Sequence, residues 1–356
     1  MGRGSSHALT RIRWTLVVVV ILAAAAAVLP AAAAAAPVPF VVCNQFGGQA
    51  GPDIAGAMAV WTDNRKGNLD IFGKDLSTGK DYAVCTNGQQ QDNPSVTRYV
   101  TDSGKVHYIS VWVDKRNHAG GESSDIYGRD ITSKSNFVVA RSATVKFYPD
   151  ISGQWVVWIE SDDPAGPYRI KARDLAAQQT YLIATSKVLS PVAVDWRRLA
   201  SGKIVSTAVY ASADGDISAR NLPDGDPFII SQKSTFEWMP DISHNRVVWW
   251  ESGGRIMMRD LKTKVRSFVH TGSRPRIDGE LVTWDGGGHG GEFVITYVAG
   301  ARIYVRNVAR STSVVSFGVA KQTNLFPAVS GHRVVWEAGP ARRVLSHIHI
   351  YGARVQ

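Results

Sequence analysis

Apolar residues along this chain come in short bursts broken by glycine, asparagine and charged residues, and no stretch after residue 36 sustains a capped helical period. One segment shows the unit. Pro149–Ser152 reads as a strand and Gly153-Gln154 as a turn. Trp155–Glu160 is a nearly continuous apolar run, as a strand covered on both faces requires. The loop 161–168 then leads to a third strand, Arg169–Leu175, and a short turn to a fourth, Thr180–Ser186.

That unit recurs. Copies open at Pro52, Pro94, Pro149, Pro191, Pro240, Pro275 and Pro327, at intervals of 42, 55, 42, 49, 35 and 52 residues. Roughly 40–50 residues is the length of a four-stranded propeller blade. In five copies an aromatic follows its proline by nine residues: Trp61, Trp158, Trp249, Trp284 and Trp336. In the other two the interval stretches to Trp112 and Tyr210, across the turn-forming insertions 101–105 and 200–203. The pattern predicts an all-β fold, a seven-bladed β-propeller; six blades is the alternative, because the fourth copy lacks the tryptophan. The last copy has three strands and no fourth, while Val38–Cys43 is an apolar β-type run ahead of the first copy. Pairing of residues 38–43 with the strand near Ile348–Gly352 is therefore expected to close the ring and protect an open edge.

Residues 1–36 differ in kind. Arg3, Arg11 and Arg13 precede an apolar core, Thr15–Leu29, and the small residues Ala31–Ala36, which together read as a secretory signal peptide. The expected organisation is residues 1–36 as signal peptide and 37–356 as a single β-propeller domain, secreted or otherwise extracytoplasmic, with no membrane span once the leader is cut. An uncleaved leader acting as an anchor is the alternative. The net charge is +10, or +7 with the three leader arginines set aside, and the basic residues form no run or aromatic-basic motif of a nucleic-acid module. An envelope protein or polysaccharide is the expected partner, and nucleic acid is not. Cys43 and Cys85 tempt a disulfide in an exported chain. If both end the outer strands of adjacent blades, however, they lie roughly 15–20 Å apart, and free thiols are expected.

Candidate chemistry gathers just after the second strand of each copy. Asp63, Asp114, Glu160, Glu251, Asp285 and Glu337 follow the repeat tryptophan by one or two residues, and the fourth copy has Ser212. Loops at this position leave a propeller on one face, so the six acids are expected around one mouth of the channel, with Arg65, Arg116 and His289 beside them as ligand-binding candidates. A bland reading stands beside this one. Arg65 and Arg116 each follow an acid by two residues, a spacing that equally suits local ion pairs stitching blades together. No catalytic residue, metal site or cofactor emerges. His347-Ile348-His349 has no third ligand at a telling spacing, and neither Asp162-Asp163 nor Asp214-Gly215-Asp216 continues as a calcium loop. The glycines at 286–288 and 290–291 lack the helix a phosphate loop needs.

Copies of the form P-[DA]-[IV]-x-G-x-x-V-V-W-x-[DE], followed by D-I-[YF]-G-x-D-[LI], resemble the tandem β-propeller repeats of bacterial and archaeal cell-surface proteins, related to TolB-like propellers. The resemblance covers about Pro39 to Gln356. It implies an extracytoplasmic protein- or glycan-binding platform and brings no catalytic residues. The alternative is an enzyme cleaving a polysaccharide or peptide at the propeller mouth, where an acid of the ring would serve as general acid.

Overall fold

The computed structural model describes residues 37–233, 235–286, 301–309, 313–340 and 347–355. Among them, every sheet is antiparallel and four-stranded, and there are seven. Each is one sequence repeat, with strands a to d paired in chain order. In the first blade these are Gln49–Ala55, Met58–Asp63, Asp70–Asp75 and Asp81–Cys85. Strand a of every blade packs on strand a of the next, and the seventh meets the first, so the blades stand in a ring. The count is seven, and the fourth blade, with Tyr210 in place of tryptophan, is complete.

The seventh blade takes its outer strand from the other end of the chain. Phe40 pairs with Gly352, Val41 with Tyr351 and Cys43 with Ile350, in the antiparallel sense and at the place expected. The insertions of the second and fourth copies also fall where strand–turn–strand units tolerate them. They extend the a–b hairpins, whose turns close through Thr101 N–H to Lys105 O and Leu199 N–H to Lys203 O. The leader expected over residues 1–36, His289, and the loop residues 287–291 and 342–343 lie outside the described residues. No helix among the described residues is long and apolar enough to cross a membrane.

The core lies between blades. Met58, Val60, Ile71 and Val84 of the first blade share a cluster with Val96, Trp112 and Tyr127 of the second. Val42, Cys43, Val335 and Ile350 of the seventh blade meet Ile54, Trp61 and Phe72 of the first. The six repeat tryptophans are at most 1 % exposed and Tyr210 is 3 % exposed, so strand b is apolar on both faces because a neighbour covers each. Losing one such ring to alanine costs about 3–5 kcal/mol.

Polar side chains fasten the inner ring. The carboxylates of Asp53, Asp150 and Asp241 accept the N–H of Val96, Val194 and Ile277 on the following blade, each at 2.8 Å. At the other end of the channel, the a–b turns are tied blade to blade by Gly56 N–H to Ser330 Oγ, Gly279 N–H to Ser243 Oγ and His244 N–H to Asp195.

Candidate functional site

The six acids sit where strand b ends, as the spacing predicts, but each residue is 7 % exposed or less. Asp63 accepts Trp61 Nε1–H at 2.9 Å and both the main-chain N–H and Nε of Arg65 at 2.9 Å. Asp114 repeats this with Trp112 and Arg116 at 2.8–2.9 Å. Arg65 and Arg116 then stack over Phe72 and Tyr127, 4.1 and 3.9 Å from the ring centres. Glu160 takes Trp158 Nε1–H and the Lys171 ammonium, and Glu251 takes Arg266. Asp285 receives Arg274 through two nitrogens and also the N–H of Phe326, and Glu337 receives the N–H of Gly51. The structure thus brings these residues to one end of the ring and joins each to its own blade or the next, rather than to the others.

The channel mouth at that same end is built by a feature absent from the sequence reading. In six blades, the residue before the repeat proline and the proline itself together face one residue of strand b, which is the blade tryptophan. This is a β-bulge, and its first residue is held at positive φ: Gly51 (55°), Asn93 (50°), Tyr148 (47°), Met239 (53°), Arg274 (50°) and Phe326 (50°). A residue before proline avoids helical backbone, and a side chain at positive φ costs about 1–3 kcal/mol. Packing of the ring holds five such residues in place. The fourth blade has neither the tryptophan nor the bulge.

Behind the bulges a cavity of about 380 Å³ opens into the channel. Tyr148, Trp238, Met239 and Phe326 line it at the bulges, and Asp53, Asp150, Asp241 and Arg276 line it below them. Arg276 reaches across from the sixth blade, 3.2 Å from both Asp53 and Asp241, with 42 % of its side chain open to the channel. Asp150 accepts Ser95 Oγ–H at 2.8 Å. Three carboxylates against two guanidiniums, of which Arg274 is bound to Asp285, leave the lumen lining negative in a chain of net positive charge. Burial pushes the Asp241 carboxyl up to about 6 despite the Arg276 guanidinium beside it, and burial likewise raises Asp150. The sequence did signal these residues, through aspartate after proline in alternate copies and a bulky residue before it. Either feature equally marks the start of a strand, so neither points to chemistry in the sequence alone. Among the described residues, no group of three or more His, Cys, Asp or Glu side chains is placed to hold a metal ion.

No family model matches this chain, and no curated protein matches it in sequence. Solved structures do match in shape. An oligogalacturonate lyase from Vibrio parahaemolyticus superposes with a TM-score of 0.60 at 11% identity, covering 89% of this chain and 93% of its own. The β-propeller domain of the Trilobed protease from Pyrococcus furiosus gives 0.57 at 11% identity, over 88% and 94%, and TolB from Acinetobacter baumannii 0.50 at 13%, over 81% and 68%. In fold, this chain is a seven-bladed β-propeller, similar in shape to these. The Pyrococcus propeller is described as having an open velcro topology, whereas here residues 40–43 close the last blade.

Proposed function

We propose that this chain is an extracytoplasmic binding module that takes a cationic group of an envelope protein or glycan into the channel mouth. One observation carries the reading: a cavity at the bulge end of the channel combines aromatic and apolar walls with three carboxylates and two arginines, of which Arg274 is already bound to Asp285. Aromatic walls with a few converging polar groups are the common composition of ligand sites, and low-dielectric walls focus the field of the acids. Strained backbone at five of the mouth residues fits a surface held rigid for recognition. The signal-like segment at 1–36 supports export. In this reading Asp63, Asp114, Glu160, Glu251, Asp285 and Glu337 hold the mouth in shape, with Arg65 and Arg116 as their partners.

The test is titration of the protein with tetralysine, a chitosan oligomer and polygalacturonate, followed by Trp238 fluorescence and calorimetry. Binding of at least one cationic probe, lost in Asp150→Asn and Trp238→Ala, is expected, and polygalacturonate is expected not to bind. Binding of the polyanion alone would sink the proposal. A second reading, cleavage at the mouth, rests on Asp241, whose raised pKa suits a general acid, and on the lyase among the structural neighbours. Accumulation of unsaturated sugar product from oligogalacturonate, abolished in Asp241→Asn, would favour it.

A further inference from the structure

A cage of oxygens is built into several of the seams between blades. Between the second and third blades it is filled by Lys146, the residue of strand a opposite Glu160. Lys146 is 2 % exposed, and its ammonium donates to Ser124 O at 2.7 Å, Ser142 Oγ at 2.8 Å and Thr144 Oγ1 at 2.9 Å, with Ser142 O and Thr144 O at 3.3 Å. Three of those oxygens are main-chain carbonyls: those two and four residues before the lysine, and that of the residue preceding strand c. The same carbonyl positions are capped by side-chain amides elsewhere. Gln49 donates to Gly47 O and Gln45 O, and Asn324 to Gln322 O and Ala301 O. These seams present converging oxygens and need positive hydrogens to fill them, whereas the fifth blade places the acceptor Glu237 at the same position.

The seam between the first and second blades is filled least well. Gln91 stands where Lys146 stands, but its amide nitrogen reaches only Gln89 O. The rest of the cage closes on Asn68 Nδ2, which faces Gln89 O at 2.8 Å, Asn87 O at 2.9 Å, Asp70 Oδ1 at 3.0 Å and Leu69 O at 3.4 Å. An amide has two hydrogens for these four oxygens. Asp70 is 1 % exposed, and its second oxygen, Oδ2, is buried with no hydrogen-bond partner. Its counterpart one blade on, Asp125, is satisfied by Asn117, His118 and Ser142 N–H. A buried carboxylate with one oxygen bare and the other gathered with three carbonyls is a costly arrangement that a hard cation relieves.

We propose that this seam binds calcium, with the Asp70 carboxylate and the carbonyls of Leu69, Asn87 and Gln89 as ligands. The ion takes the place of Asn68 Nδ2, and the half-buried Asn68 side chain swings out toward solvent to admit it. Water completes the six to eight ligands calcium takes, because Asn87 and Gln89 are exposed. Calcium–oxygen distances of about 2.3–2.6 Å require Asp70 Oδ1, Asn87 O and Gln89 O to close by a few tenths of an ångström and Leu69 O by about 1 Å. A single carboxylate places the affinity with weak extracellular sites, at about 0.1–1 mM. The seam is separate from the channel and does not depend on the function proposed for it.

Calorimetric titration of the whole chain with CaCl2 is expected to show one saturable site, and about 10 mM CaCl2 to raise Tm by about 2–4 °C. Asp70→Asn should weaken binding at least tenfold. Gln91→Lys, which supplies an ammonium as Lys146 does, should abolish binding and leave a fold at least as stable without calcium. Asp241→Asn, in the channel, should bind calcium as the parent does. The proposal is overturned by no saturable binding in the parent, by an equal Tm rise with MgCl2, by unchanged binding in Asp70→Asn or Gln91→Lys, or by loss of binding in Asp241→Asn. If one seam variant does not fold, the other decides.

Discussion

Asp114 shows how a carboxylate at the head of a loop becomes part of the frame. It is fully buried, and it receives an indole N–H, a main-chain N–H and a guanidinium that itself lies on the Tyr127 ring. Removing one partner of a buried ion pair strands the other, so Asp114→Ala should lower stability by about 3–5 kcal/mol in urea denaturation. Arg116→Ala should cost less, since the arginine is partly exposed and Trp112 keeps its acceptor. Equal losses would mean the indole bond contributes nothing. Asp241 behaves in the opposite sense. Its carboxyl titrates at about 6 in the fold against an ordinary 3.8, so the folded state holds the proton more tightly. The resulting stability is present in full below about 4 and is lost as pH rises through about 6. Asp241→Asn should therefore flatten the pH dependence of Tm between pH 4 and 6, and an unchanged slope would assign that dependence to other groups.

Strands, turns and blade boundaries were legible because each rests on local signals: proline at the start, a small residue at the turn, a tryptophan nine positions on. Closure was legible too, since a missing strand at one end and an unpaired apolar run at the other fit only each other. The bulge was not. Positive φ before proline contradicts local preference and is imposed by the ring, so Tyr148, Met239 and Phe326 carried no readable backbone signal. The fate of the six acids was only half readable, because the same spacing serves an ion pair and a binding ring until burial is known. Strand c gives a further example in its repeated glycine. A Cβ at Gly128 would lie 2.4 Å from the Phe137 ring, and one at Gly352 would lie 2.8 Å from Phe40 of the closing strand. Gly128→Val should thus cost about 1–3 kcal/mol through overpacking, and Gly352→Val should weaken closure specifically. Deleting residues 37–44 removes the whole outer strand, and a large fall in Tm with loss of solubility is expected. Protease cutting near residue 40 in Gly352→Val, but not in Gly128→Val, would confirm that the two glycines guard different contacts.

At the scale of the whole ring, charge is arranged against the average. The chain is basic, yet the first, third and fifth blades each place an aspartate in the lumen, and only the sixth answers with arginines, Arg276 facing those acids and Arg274 held by Asp285. Each aspartate also accepts the N–H of the next blade, so lumen charge and ring assembly are carried by the same atoms. Arg276 then competes with any external cation for Asp53 and Asp241. Replacing it by methionine removes the competitor and leaves three carboxylates facing one another. Two opposed results follow. Stability should fall by about 1–2 kcal/mol at pH 7, a figure reduced from that of a buried pair because the guanidinium is 42 % exposed, and by less at pH 5, where protonation relieves the repulsion. Affinity for tetralysine, by contrast, should rise at least fivefold at low salt and lose most of that gain near 0.5 M NaCl, since the added attraction is electrostatic and screened. A variant that is less stable and binds more tightly would establish Arg276 as an internal stand-in for a cationic ligand. One that is less stable and binds no better would make the cluster a structural tie between blades and remove the electrostatic basis for a ligand in the channel.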